Sequence, residues 1–115
     1  MIFDCTPLYV QILEQIEDEI CTGKWQEGKM IPSTSELAHQ FKVTPQTVSH
    51  GLHLLVQRGI LKPKRGIGMV ICAGSVQRLK QKKLDELLSL VYRARKEAQL
   101  LQIGREEIFA MLKKN

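Results

Sequence analysis

Ile31-Pro32-Ser33-Thr34-Ser35-Glu36-Leu37-Ala38, continued by Lys42-Val43-Thr44-Pro45-Gln46-Thr47-Val48, decides the fold. Ser33 with Glu36 three residues later has the spacing of a capping box, in which hydroxyl and carboxylate satisfy backbone donors at a helix start. A short helix to about Phe41 follows, with Leu37, Ala38 and Phe41 on one face. Lys42 to Pro45 breaks and restarts the chain. Thr44 suits an N-cap, and Pro45 suits the first helical position, where its missing N–H costs nothing. Val48, Leu52, Leu55 and Val56 then recur at helical spacing up to Gly59, which fits just past a helix end. Two short helices around a three- to four-residue turn are the sequence form of a helix–turn–helix. Small polar residues (Gln46, Thr47, Ser49, His50) open the second helix, the end that reaches base edges in such motifs.

Two β-prone runs come next, Ile60-Leu61-Lys62 and Met69-Val70-Ile71, around Pro63-Lys64-Arg65-Gly66-Ile67-Gly68. Glycines at the tip permit positive φ and close approach, and Lys64 and Arg65 beside them suit phosphates or a minor groove. By itself this is equally an ordinary hairpin with a solvated basic tip. Directly after a helix–turn–helix, a DNA-contacting wing is favoured.

Working outward, Pro7 to Thr22 reads as a helix capped by Thr6, with Leu8, Ile12, Ile16 and Ile20 as its apolar stripe, widened by Val10 and Leu13. Glu14, Glu17, Asp18 and Glu19 lie off that stripe. With no histidine or nucleophile beside them they read as solvated surface rather than a catalytic pair. Gly23 ends the helix, Trp25 is expected to plug the core, and Met30-Ile31 can add a short strand to the wing. After the wing, Ala73-Gly74-Ser75 reads as a hinge with Ser75 as N-cap. A long helix follows to about Leu101, carrying Leu84, Leu87, Leu88, Val91, Ala94, Ala98 and Leu101 at three- and four-residue steps. Gln102-Ile103-Gly104 interrupts it. Arg105 to Lys113 makes a last short helix with Ile108, Phe109 and Leu112 on one side.

Charge is distributed unevenly over the 115 residues, whose net charge is +5. Residues 1–36 balance to −5, residues 37–84 contain nine basic side chains and no acidic one, and the remainder balances to +1. The acid-free block spans the second motif helix, the wing and Arg78-Leu79-Lys80-Gln81-Lys82-Lys83. A charge run is often only a solvated face. Forty-eight residues without a carboxylate make a phosphate-binding face the better reading.

Other classes fare worse. Three cysteines (Cys5, Cys21, Cys72) without a CxxC pair do not make a disulfide framework and are expected to be small, buried or half-buried hydrophobes. No apolar run reaches membrane-spanning length, and Met1-Ile2-Phe3-Asp4 lacks the basic start of a signal peptide, so a cytoplasmic location is expected. His50 and His53 stand at i, i+3, a spacing open to metal, but no third ligand is evident and His39 cannot be placed beside them; surface or DNA-facing histidines read better, and no metal or other cofactor is expected. No phosphate-binding loop, dinucleotide fingerprint or hydrolytic triad occurs, so an enzyme is not expected.

Several segments together resemble the GntR family of bacterial transcription regulators: Pro7-Leu8-Tyr9-Val10-Gln11-Ile12, Gly23-Lys24-Trp25-Gln26-Glu27-Gly28, Ile31-Pro32-Ser33, Glu36-Leu37-Ala38, Val43-Thr44, Thr47-Val48 and Arg65-Gly66-Ile67-Gly68. They follow one another at the family's spacing over roughly residues 6–71. The resemblance implies a winged helix that binds a palindromic operator as a homodimer, usually as a repressor. It also implies arginines just before Glu-Leu-Ala and at the start of the second motif helix. This chain has Ser35 and Pro45 there, so phosphate and wing contacts are expected to carry a larger share of its affinity. About forty residues follow the wing, the length of the YtrA-type branch, whose short two-helix tail dimerises.

The expected class is therefore mainly α with a small β-wing. A winged helix–turn–helix DNA-binding domain is expected over residues 1–73 and helical dimerisation elements over residues 74–115. The expected partners are double-stranded operator DNA and a second copy of the chain, with no membrane; a small-molecule effector has no signature. Expected DNA-contacting residues are Ser33, Ser35, Thr44, Gln46, Thr47, Ser49, His50, Lys64, Arg65 and Gly66. The expected dimer face comprises Leu84, Leu87, Leu88, Val91, Ala94, Ala98, Leu101, Ile108, Phe109 and Leu112. Two rival readings are a winged helix used for protein–protein contact and a metal- or ligand-responsive sensor acting through His50 and His53.

Overall fold

The computed structural model describes residues 6–114; Cys5 and the reading of Met1 to Asp4 lie outside the described residues. Among the described residues, five helices and a two-stranded sheet occur in the order α1 (Leu8–Cys21), α2 (Thr34–Phe41), α3 (Pro45–Gln57), β1 (Leu61–Lys64), β2 (Gly68–Ile71), α4 (Ser75–Leu101) and α5 (Arg105–Lys113). They form two compact units, one ending at Lys80 and the other beginning at Gln81.

In the first unit, α1 and α2 each pack on α3. Ile12, Leu13, Ile16 and Ile20 of α1 meet Leu37 and Ala38 of α2, Val48, Leu52 and Leu55 of α3, and Leu61 and Ile71 of the sheet in one core. Trp25 is half-buried against it. Lys42 ends α2 in the left-handed region, φ 58°, and the Val43 N–H reaches back to the Ala38 carbonyl. Gly59, φ 76°, ends α3 similarly.

The sheet is an antiparallel hairpin in register Leu61↔Ile71 to Lys64↔Gly68, with Arg65, Gly66 and Ile67 at its tip. Pro63 lies within β1, one residue beyond the expected run, which a two-stranded edge tolerates. Met30 adds a single bridge to Val70, while the Ile31 N–H donates to Met69 and the Ile71 N–H to Lys29. The expected third strand is thus reduced to a bridge.

Four local expectations need correction. Pro7, not Thr6, is the N-cap of α1, and its carbonyl accepts from Val10 and Gln11. Leu8, the first residue of α1, is 50% exposed and lies outside the core, although Val10 two residues on packs against it. Glu17 is buried rather than solvated, and Arg58 Nη1 lies 3.5 Å from its carboxylate; charge at such depth is tolerated only when paired. Ser75 does not cap α4. Its buried hydroxyl donates to the Ile60 carbonyl at 3.1 Å, and the Glu27 carboxylate accepts from the Gly74 and Val76 N–H groups, each at 2.9 Å.

Those contacts continue along the first turns of α4. Arg78 donates to the Arg58 carbonyl at 2.6 Å and the Gly59 carbonyl at 3.1 Å, so its guanidinium serves the C-terminus of α3. Leu79 is buried in the core. Two of the basic side chains in the acid-free block, Arg58 beside Glu17 and Arg78, are therefore structural.

In the second unit, Gln102 at φ 58° and the Ile103 N–H bonded to the Ala98 carbonyl end α4. After Gly104 the chain enters α5, with Glu106 and Glu107 in its first turn and Lys113 in its last, charges that oppose the helix dipole.

Candidate nucleic-acid interface

The exposed start of α3 is built by its cap. Thr44 accepts from the Thr47 N–H through its hydroxyl at 3.4 Å, and the two threonine hydroxyls share a hydrogen bond of 3.0 Å. Thr47 is half-buried and Thr44 exposed, so both expected readers have their hydroxyls engaged by each other. Gln46, Ser49 and His50 are exposed, and Val48 and Leu52 are buried on the opposite side. Gln46, His50 and His53 succeed one another at steps of four and three, forming one outward row with Ser49 beside it.

At the start of α2, the Glu36 N–H donates to the Ser33 hydroxyl at 3.1 Å and the Ser33 N–H donates to the Glu36 carboxylate at 3.0 Å. The Ser33 backbone N–H, and secondarily its side chain, hold the Glu36 carboxyl below the usual carboxylate range. The carboxylate is thus committed to the cap. Ser35 is exposed on the first turn of the same helix.

Between this helix start and the wing lies a cleft of about 580 Å³. Ser33, Thr34 and Glu36 line one side of it, and Lys64, Arg65 and Gly66 line the other. Lys64 and Arg65 are exposed, and no ion pair among the described residues engages them. The structure therefore brings Ser33 together with the wing tip, whereas Gln46, Ser49 and His50 form a separate outward row on α3. Both groups belong to the first unit.

His50 carries a contact with no expected counterpart: its ring stacks on Tyr9 of α1. The i, i+3 pair with His53 remains, but no group of three or more His, Cys, Asp or Glu among the described residues is placed to hold a metal ion. No helix among them is long and apolar enough to cross a membrane.

The expected dimer-face residues fall in the second unit. Leu84, Leu87, Leu88, Val91, Leu101, Phe109 and Leu112 are exposed, as is Ala94; Ile108 is half-buried and Ala98 is buried at 7% exposure. Leu87, Leu90, Val91, Ala94, Ile108, Phe109 and Leu112 line one groove of about 490 Å³, together with Arg95 and Arg105. Leu90 belongs to this groove although it falls outside the expected stripe; its neighbours at i−3 and i+4 already pointed to it.

The profile of the bacterial regulatory proteins of the gntR family matches residues 8–71, which span α1 through the last residue of β2. This chain belongs to the GntR family. The HTH-type transcriptional regulator YhcF of Bacillus subtilis is 32% identical over 109 residues, covering 93% of this GntR-family chain and 88% of that protein. A GntR family transcriptional regulator from Listeria monocytogenes superposes with a TM-score of 0.77 at 29% identity, covering 99% of both chains. The DNA-binding domain of AraR, solved in complex with operator ORR3, superposes with a TM-score of 0.58 at 30% identity, over 63% of this chain and 87% of that one. Several curated relatives are matched over part of their length only. The chain spans about half of the B. subtilis repressor YtrA, 36% identical over 66 residues, and about a quarter of TreR and NagR from the same organism. These relatives are transcriptional regulators, not enzymes.

Proposed function

We propose that this chain is a sequence-specific DNA-binding transcriptional regulator, acting in the cytoplasm as a homodimeric repressor on a two-fold operator. The observation that carries the proposal is the pairing of two exposed surfaces in one unit. One is the outward row at the start of α3, and the other is the Lys64–Arg65–Gly66 tip facing Ser33 across the cleft. The first suits base edges in a major groove, and the second suits phosphates or a minor groove. The operator complex of the AraR domain and the repressor names among the relatives support the same reading. Among the expected contact residues, Ser33, Thr44 and Thr47 have hydroxyls already used in caps. Base reading then falls to Ser35, Gln46, Ser49 and His50, and the wing cations carry much of the affinity.

The groove between α4 and α5 supports the dimer. A single winged helix meets one half-site, and two half-sites about one helical turn apart need two copies held together.

Selection of bound sequences from a random DNA pool at two salt concentrations tests the proposal. The expected result is a two-fold site with half-sites about 10 bp apart or a multiple of that. Affinity should fall with salt by a log–log slope of about −0.9 per phosphate contacted. No enrichment of any sequence at low salt, with salt-insensitive retention of a protein partner, would overturn it in favour of protein–protein contact.

A further inference from the structure

Tyr9 sits on α1, outside the helix–turn–helix and the wing. Its ring nonetheless lies flat on that of His50, with centroids 3.9 Å apart and planes inclined by 16°. Two helices must come close for a tyrosine to reach across in this way. Gly51, the residue after His50, allows it: a Cβ there would lie 3.1 Å from the Tyr9 carbonyl oxygen, tighter than ordinary van der Waals contact. His50 is exposed and stands one turn after Gln46 in the outward row of α3.

A histidine free on a helix surface samples several rotamers, and ordering it on binding costs free energy. Stacking covers one face of the His50 ring and selects one orientation. The edge that carries the two ring nitrogens stays free, and a neutral imidazole offers one donor and one acceptor there. A single N–H donor complements the N7 acceptor of a purine in the major groove.

We propose that Tyr9 is a positioning residue for operator recognition: it holds His50 as a reader of one purine edge in each half-site, so that α1 contributes to base preference without touching a base. The inference rests on the DNA-binding function proposed above. It separates His50 from Lys64 and Arg65, whose contribution is a phosphate contact insensitive to sequence.

The test uses the full chain with His50→Ala, Tyr9→Leu, Tyr9→Phe and the double variant Tyr9→Leu/His50→Ala. Proton NMR and selected operator DNA supply the readouts. In the unaltered protein and in Tyr9→Phe, the carbon-bound His50 ring protons should be shifted upfield by the stacked ring; Tyr9→Leu should abolish the shift. His50→Ala should lower preference at one base pair per half-site by about tenfold while leaving the salt slope unchanged. Tyr9→Leu should lower preference at that same base pair by about threefold, and the double variant should lose no more than His50→Ala alone. Tyr9→Phe should behave as the unaltered protein.

Three outcomes overturn the inference while leaving the proposed function standing. Tyr9→Leu could keep full preference at that base pair. Tyr9→Phe could lose as much as Tyr9→Leu, which would make the hydroxyl itself the contact. His50→Ala could weaken all sequences equally with a flatter salt slope, which would make His50 a phosphate contact. If Tyr9→Leu does not fold, Tyr9→Met, which keeps an apolar side chain of similar reach but removes the ring, takes its place in each of these comparisons. Failure of the unaltered protein to select any operator overturns the proposed function, and this inference with it.

Discussion

Leucine does opposite things in the two units of this chain. In residues 6–80, Leu13, Leu37, Leu55 and Leu61 are at most 1% exposed. In residues 81–114, Leu84, Leu88, Leu101 and Leu112 are 46%, 58%, 67% and 75% exposed, and Ala98 alone among the described residues there is buried. The first unit closes a core from three helices and a hairpin, and even its buried carboxylate, Glu17, has a cation beside it. Two helical stretches in the second unit cannot enclose their own apolar faces. At ~25 cal/mol per Å² of apolar surface, leaving such a groove in water forgoes stabilisation that a second copy would recover. The difference separates a surface that folds the chain from one proposed to pair it with a second copy.

The largest effect should come from charging the groove. Leu87→Glu with Val91→Glu places carboxylates where apolar surface is to be covered, which is costly when they are desolvated. Linking two half-site contacts is worth about 10²–10⁴ in apparent affinity, so the variant should bind a two-fold operator at least about 100-fold more weakly in a gel shift. Its thermal midpoint for the winged helix should be nearly unchanged. A full-strength two-fold complex would remove the groove from the dimer.

Core and surface leucines should then differ in cost. Leu52, 2% exposed, should destabilise by about 2–5 kcal/mol when changed to Ala, whereas Leu100→Ala, at 79% exposure, should stay within about 0.5 kcal/mol. Gln46→Ala should relax operator preference without lowering the melting temperature. Equal costs for Leu52 and Leu100 in urea unfolding would erase the distinction between the units.

Lys64→Ala with Arg65→Ala should weaken binding to all DNA sequences alike and flatten the salt slope by up to about two. An unchanged slope would take the wing off the phosphate backbone. Loss of preference at fixed non-specific affinity would mean that the tip reads bases.

The smallest effect concerns Glu27. The Gly74 N–H, and next the Val76 N–H, hold its carboxyl below the usual value of 4.5. A depressed folded-state value contributes stability above the unfolded value that is lost as pH falls through the folded one. Glu27→Gln cannot ionise, so its melting temperature should decline less steeply below pH 4.5 than that of the unaltered chain. Parallel acid limbs would show that the carboxylate is not the cap of α4.

How far these features were legible in the sequence depends on separation along the chain. The Ser33–Glu36 box, the Thr44–Pro45 start and the Gly59 stop are written within three or four residues, and all are found as expected. The wing was readable for the same reason. Glu27 lies 47 residues from Gly74, Arg78 lies 20 from Arg58, and Glu17 meets Arg58 across two helices. No periodicity announces such pairs, so Glu17 read as solvated, Arg78 as a free cation and Ser75 as a cap. At the proposed nucleic-acid face, the exposure of Gln46, Ser49 and His50 on α3 was readable from residue type and helical spacing. Which of their hydroxyls caps consume, and that Tyr9 covers one face of His50, depended on packing.

Light scattering of the unaltered chain and of Leu87→Glu/Val91→Glu tests the central claim most directly, that the apolar groove between α4 and α5 joins two winged helices. The expected result is twice the chain mass for the unaltered protein and the single chain mass for the variant. A stable dimer of the variant, or a monomer of the unaltered chain at concentrations that saturate an operator, would contradict it.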